Sequence, residues 1–350
     1  MRAFDFFCGA GGLTRGLLDA GIEVIAGFDV DERCQESYEW NNKPVCFCPT
    51  DVNVVRPAEV WKLLKSRRTG DLLIAACAPC QPFSKQRKRQ VATGGQLRGG
   101  SDVNGDATLL GAFARIVEEI LPAHILIENV PGIAKVRGFS TYRRFLAMLQ
   151  ANHYSVAEGI LDGKNYGVPQ TRRRFVLLAS RNRAATMPAP LFGPGRQRYL
   201  TVRHAIAHYP PIAAGERHPS VPNHEAALLS DTNLLRLKLT PADGGDRRAW
   251  PERLRLKCHK GGYEGHTDVY GRMAWDRPAP TLTGRCNSLS NGRYGHPSQH
   301  RAISLREAAS LQTFSDAYVF FGAQQHIARQ IGNAVPVKFA EVLGRQILAL

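Results

Sequence analysis

The stretch Asp5-Phe6-Phe7-Cys8-Gly9-Ala10-Gly11-Gly12 closes an apolar run, Met1–Phe7, and leads into a helical one, Thr14–Ala20. Closely spaced glycines between a strand and a helix let a ligand approach the backbone at the helix N-terminus. Counted from Gly9 and Gly11, the third glycine of the dinucleotide fingerprint falls on Thr14, so the turn departs from that pattern. A nucleoside-bearing cofactor without phosphates suits it better. By itself a glycine turn is weak, and a purely structural turn reads it equally well.

The same alternation continues outward. Glu23–Asp29 is strand-like and Asp31–Asn41 helical; Asp71–Ala76, Ile125–Glu128 and Arg174–Ser180 are further apolar runs of strand length, with helical Leu109–Leu121 and Thr141–Asn152 between them. This predicts an α/β fold with a Rossmann-like, largely parallel sheet covered on both faces. Such sheets bind ligands beyond the carboxyl ends of their strands. Asp29, Asp51, Ala78–Cys80 and Glu128–Pro131 all fall there. Asp29 is placed to accept hydrogen bonds from ribose hydroxyls, and Asp51 from an adenine amino group.

The chain has 350 residues, 43% of them hydrophobic, enough for one large or two modest domains. Its 46 Lys+Arg against 30 Asp+Glu give a formal charge of +16, which favours nucleic acid over an acidic membrane as partner. No apolar run reaches the roughly 18 residues of a membrane span, and no signal-peptide layout opens the chain. The expectation is a cytoplasmic protein whose eight scattered cysteines are reduced thiols. A zinc site from Cys46, Cys48, Cys77 and Cys80 would need two short loops to converge and finds no histidine at ligand spacing. No metal is expected.

Between about Arg183 and Asp276 the periodicity fails and proline, glycine, histidine and arginine dominate. Residues 186–324 therefore read as a smaller, loop-rich domain, and 1–185 plus 325–350 as the sheet domain, with Val337–Leu350 returning to the sheet. The basic, glycine-rich stretch Gln81–Asp106, carrying Lys85, Arg87, Lys88 and Arg89, starts beside Cys80 and reads as a lid closing over substrate.

Three further stretches carry chemistry. In Ala78-Pro79-Cys80-Gln81-Pro82-Phe83-Ser84 a thiol at a strand end is held rigidly between prolines, a setting for a nucleophile. Cys77 still belongs to the apolar run and is expected to point into the core. Ile125-Leu126-Ile127-Glu128-Asn129-Val130-Pro131-Gly132 is a buried strand ending in a carboxyl group, which in such a setting can keep a proton and donate it to a ring nitrogen. A helix cap or a surface carboxylate is the plain alternative. In Gln170-Thr171-Arg172-Arg173-Arg174, Arg172 and Arg174 share one strand face and Arg173 takes the other.

Together these motifs strongly resemble the cytosine-5 DNA methyltransferases of bacterial restriction–modification systems. The ordered blocks are DFFCGAGG (5–12), PCQPFS (79–84), ENVPG (128–132), QTRRR (170–174), RPAPTLTGR (277–285) and QIGNAVP (330–336), spanning nearly the whole chain except its Pro/Arg-rich middle. The resemblance implies S-adenosylmethionine as methyl donor, its pocket formed by Phe7, Gly9, Gly11, Asp29, Val30, Asp51, Val52, Leu109 and Asn333. Val30 stands where that family often has an aromatic residue. It implies that Cys80 adds to carbon 6 of cytosine, that Glu128 holds the ring nitrogen and exocyclic amine, and that Arg174 holds the base carbonyl. Arg172 would steady the site and Asn129 the loop. The base must leave the helix to be reached, and the loop-rich domain would recognise the target in the major groove. Arg247, Arg248 and Arg285 are candidate DNA contacts. The implied partner is double-stranded DNA, with a separately acting restriction endonuclease and a monomeric chain.

Two other readings share the blocks: an RNA (transfer-RNA) cytosine-5 methyltransferase, and a DNA-binding regulator without activity. Intact Cys80, Glu128, Arg172 and Arg174 argue against the second. An NAD enzyme fails on the glycine spacing.

Overall fold

The computed structural model describes residues 1–77, 103–132, 140–256 and 268–350, with backbone alone for 103–108 and 140. Seven strands among them form one sheet: β1 (Arg2–Phe6), β2 (Glu23–Asp29), β3 (Cys46–Pro49), β4 (Leu72–Ala76), β5 (His124–Asn129), β6 (Ser155–Asp162) and β7 (Arg173–Ser180). Their spatial order is β3-β2-β1-β4-β5-β7-β6. The ladders joining β3, β2, β1, β4 and β5 are parallel, while β7 runs antiparallel to both β5 and β6. β4 and β5 are buried along their whole length, as strands covered on both faces must be.

The helices of the described residues are α1 (Gly12–Asp19), α2 (Gln35–Asn42), α3 (Pro57–Leu64), α4 (Val103–Ile120), α5 (Ser140–Ala151), α6 (Val202–Ile206), α7 (Asp231–Lys238), α8 (Leu305–Leu311), α9 (Gln324–Asn333) and α10 (Val337–Leu348). The helical run at Asp31–Asn41 divides into a single 3₁₀ turn, Glu32–Cys34, and α2. α4 starts at Val103, inside the stretch expected to be loop. None of these helices is long and apolar enough to cross a membrane.

Cα proximity divides the chain into two units. The first comprises Met1–Asp162, Arg173–Ala189 and Phe339–Leu350; the second comprises Gly163–Arg172 and Pro190–Lys338. In the first, the sheet packs on a core rich in aromatic residues, with Phe6 stacked on Phe28 at 4.7 Å and edge-on to Phe113 at 5.8 Å. From Phe339 onward the C-terminal helix belongs to this unit. A side chain at Gly344 would come within 2.9 Å of the Ala20 Cβ and 3.2 Å of Leu17, so α10 packs closely on the end of α1 there.

Among its described residues the second unit has isolated bridges instead of a sheet, which leaves many main-chain carbonyls without ladder partners. Buried arginines meet that need with their five donors. Arg272 donates to the carbonyls of Leu237, Thr240 and His296 at 2.8–3.0 Å and also to Gln299. Arg306 donates to Pro222, Ser315 and Tyr318. Arg301 pairs in bidentate fashion with Glu307, both bonds 2.7 Å, while Glu307 and Ser304 form a capping box at the start of α8. These arginines brace the fold, a role that their sequence context does not distinguish from contact with DNA.

Candidate active site

Strand register assembles the site. Phe6 pairs with Phe28 and with Ala76, and Ala76 pairs with Ile127. One residue further along each strand path, Asp29, Phe7, Cys77 and Glu128 form a row across four neighbouring strands, at the carboxyl edge of the parallel sheet. The hydrogen bonds Cys8 N to Phe28 O and Cys77 N to Phe6 O, both 3.1 Å, carry the pairing into that row.

On one side of the row the chain turns through positive φ at Phe7 (62°), Gly9 (50°) and Gly11 (87°) before α1 begins. Gly9 and Gly11 meet this demand without strain; Phe7, which has a Cβ, does not. The turn is tied to β2 through Asp29, whose two carboxyl oxygens accept from Gly9 N and Asp31 N, each at 2.8 Å. Burial pushes the Asp29 carboxyl above its ordinary range. Val30 N adds a third backbone contact, and of the roughly four acceptor sites of a carboxylate one is left for a further donor. Beside it Val30 stands 70% exposed, an apolar face left uncovered next to an anchored acid. Among the described residues, its own chain neighbours aside, no atom lies within 4 Å of where a Cβ at Gly9 would project. Asp51 is half-buried and caps Asn53 N at 2.9 Å, Val52 is buried, and Leu109 is half-buried on α4. Open backbone, an anchored acid and an exposed apolar side chain fit the nucleoside portion of S-adenosylmethionine.

Asp5 is a group that sequence reading passed over, although an acid inside an apolar strand is a visible signal. Fully buried, it accepts from Thr14 Oγ1 at 2.7 Å, while its Oδ1 meets no partner among the described residues. Burial raises its carboxyl to about 7.

On the other side of the row sits Glu128, 2% exposed. It pairs with Val176 of β7, and Arg174, two residues away, presents the same face. Arg174 Nε lies 3.0 Å from Glu128 Oε1, in ion-pair contact. The second oxygen, Oε2, accepts from Cys77 Sγ at 3.0 Å. The expectation that Cys77 points into the core is therefore corrected: β4 stops at Ala76, and the half-buried thiol reaches the carboxyl group. Asn129 Oδ1 accepts from Val130 N at 2.8 Å, holding its own turn as expected.

The triple arginine is divided. Arg173 is exposed, Arg174 serves Glu128, and buried Arg172 precedes the strand and belongs to the second unit. There its donors go to the carbonyls of Leu282 (2.9 Å), Gly332 (3.2 Å) and Ala334 (3.0 Å). Asn333 ends α9, exposed, and its neighbour Gly332 must be glycine, since a Cβ would overlap Thr283 O.

Of the candidate DNA contacts in this unit, Arg247 is buried, and exposed Arg248 is clamped by Asp246 at 2.6 Å. Arg285 stands exposed in a cleft of about 470 Å³ whose lining includes Leu228, Asn233, Asn287, Gln325 and Arg329 and no carboxylate among the described residues. Cys80, Lys85, Arg87, Lys88 and Arg89 lie outside the described residues. Among those described, no group of three or more His, Cys, Asp or Glu is arranged to hold a metal ion.

The sequence model of the C-5 cytosine-specific DNA methylase family matches residues 1–349. The Type II methylase M.HgiDII of Herpetosiphon aurantiacus is 38% identical over 348 residues, covering 98% of this chain and 94% of its own. The Type II methyltransferase M1.HphI of Haemophilus parahaemolyticus is 28% identical over 99% of this chain and 86% of its own. Among solved structures, a prophage-encoded Escherichia coli protein crystallised as a candidate DNA modification methyltransferase matches 100% of this chain and 99% of its own, with a TM-score of 0.75 at 21% identity. That last likeness carries the fold.

Proposed function

This chain belongs to the C-5 cytosine-specific DNA methylase family and is a cytosine-5 DNA methyltransferase of the Type II restriction–modification kind; from that premise we propose how its residues do the work. The substrate is a cytosine within a specific short duplex sequence, swung out of the helix because the reacting carbon is inaccessible inside it. The observation that carries this reading is Glu128, held between Arg174 and Cys77 in the same row of the sheet as Phe7 and Asp29.

Cys80, three residues after Cys77, supplies the nucleophile. Its thiolate bonds to carbon 6 of the ring, and Glu128 gives its proton to the ring nitrogen, so the electron pair arrives at carbon 5. Arg174 orients Glu128 and the base carbonyl. After methylation, carbon 5 loses its proton to solvent, its electron pair re-forms the ring double bond as the bond to sulfur breaks and restores the thiolate, and the ring nitrogen returns its proton to Glu128. Phe7, Gly9, Gly11, Asp29, Val30, Asp51, Val52 and Leu109 hold S-adenosylmethionine, which when bound supplies an electrophilic methyl group. Arg172 acts as a brace within the second unit.

Residues 186–324 are assigned to target recognition, with Arg285 in its cleft and the basic stretch Lys85, Arg87, Lys88 and Arg89 contacting DNA. Arg248 is a weaker candidate because Asp246 already holds it, and Arg247 a weaker one still because it is buried. The enzyme acts in the bacterial cytoplasm as a monomer, and a cognate endonuclease works separately.

The test is incubation with S-adenosylmethionine and duplexes carrying 5-fluorocytosine. The parent should form a complex that survives boiling in detergent, and Cys80→Ser none. Methylated cytosine without any trapped complex would overturn the covalent scheme, and transfer of label to transfer RNA alone would overturn the DNA substrate.

A further inference from the structure

We propose that Cys77 is a positioning residue for Glu128, its thiol fixing the carboxyl oxygen Oε2 and so presenting the acid to the base in one orientation. This rests on the acid role assigned to Glu128. The terminal torsion of a glutamate is broad and roughly two-fold, so burial alone does not set the plane of its carboxyl group. Arg174 Nε lies 3.0 Å from Oε1, and its Nη1 is spent on the carbonyl of Arg173 at 2.8 Å. Cys77 Sγ, 3.0 Å from Oε2, supplies the second point that defines a plane.

The two partners come from opposite sides of β5. Arg174 lies on β7, and Cys77 follows β4, at the register position beside Glu128. Both β4 and β7 are hydrogen-bonded to β5, so Arg174 is held within the sheet and Cys77 directly at its edge, one residue past β4. A thiol is a weak donor. It can therefore orient a carboxyl group that must release and regain a proton without binding one form tightly. Nothing in the covalent scheme uses this sulfur, and its contact with a carboxyl group is not that of an inert core thiol.

The experiment compares Cys77→Ser, Cys77→Val and Cys77→Ala with the parent as full-length proteins, reading kcat and KM for duplex DNA, with thermal midpoints to show folding. Serine keeps a donor; valine and alanine do not. Valine and alanine should lower kcat about tenfold, the worth of one ordinary hydrogen bond, with KM for DNA changed less than twofold. Serine should recover most of the loss. If serine is as slow as valine, or all three match the parent, the proposal falls. If alanine does not fold, the ratio of serine to valine decides. Glu128→Gln in the same assay separates the two readings. Parental kcat in that variant removes the acid role itself, whereas an inactive Glu128→Gln beside fully active Cys77 variants removes only the positioning role.

Discussion

Arg174 Nε stands 3.0 Å from Glu128 Oε1 with both side chains almost sealed from solvent, and the contact exists because β7 enters the sheet antiparallel beside β5. A parallel β7 in the same slot would reverse the strand and carry Arg174 toward the other end. Removing the cation deprives the acid of its main electrostatic partner, an effect of roughly a hundredfold on turnover for comparable preorganised groups. Arg174→Ala should therefore lower kcat by about that factor while S-adenosylmethionine affinity, read by calorimetry, stays within twofold. A variant that keeps parental kcat would show that the pair is only structural.

Asp5 sets a signed dependence of stability on pH. Its carboxyl titrates near 3.8 when unfolded and at about 7 when folded. Between these values the native state holds a proton that the unfolded state has lost, so stability falls as pH rises through the window and levels off above it. The full effect is on the order of 4 kcal/mol. Asp5→Asn cannot ionise. Its stability relative to the parent, from urea unfolding, should improve steadily from pH 4 to pH 7. A constant difference between the two proteins across that range would contradict the assignment.

Glu307 is fully buried with Arg301 and also caps α8. Breaking a buried pair leaves an uncompensated charge, at a cost of about 3–5 kcal/mol. Glu307→Ala should lower the stability of the second unit by that much in denaturant unfolding. Ser304→Ala, which removes the cap and the 2.8 Å hydrogen bond to His224 Nδ1 but leaves the ion pair, should cost less, about 1–3 kcal/mol.

Arg285 and Arg329 line one cleft and, among the described residues, their side chains make no ion pair or hydrogen bond that would commit them elsewhere. Neutralising one phosphate-binding cation lowers the slope of log affinity against log salt by roughly one unit. Arg285→Ala with Arg329→Ala should flatten that slope by about two, measured by fluorescence anisotropy on duplex DNA. Arg247→Ala, at a buried position, should lower the unfolding midpoint and leave the slope unchanged.

The sheet half of the molecule was legible in the chain because its strands are apolar on both faces. Glu23–Asp29 has the same bounds in sequence and structure, and Asp29 and Glu128 were found because each ends such a run. β6 was missed: Gly159 and the acid Glu158 interrupt it, and its edge position leaves it half-exposed. Nor does periodicity reveal which strands pair, so the meeting of Glu128 with Arg174 could be anticipated only from resemblance. Cys77 was misplaced by one residue's worth of strand. In the second unit, loops braced by buried arginines carry no repeating pattern. Arg272, Arg301 and Arg306 read in sequence like the exposed Arg285.

The row of Asp29, Phe7, Cys77 and Glu128 draws one residue from each of four adjacent strand paths. Side chains alternate between the two faces of a pleated sheet, so adding or deleting one residue in any of these strands would rotate its contribution to the far face. The catalytic edge should thus be brittle to changes of length in these strands. Engineering of this enzyme has most freedom to lengthen or shorten the chain away from those four strands.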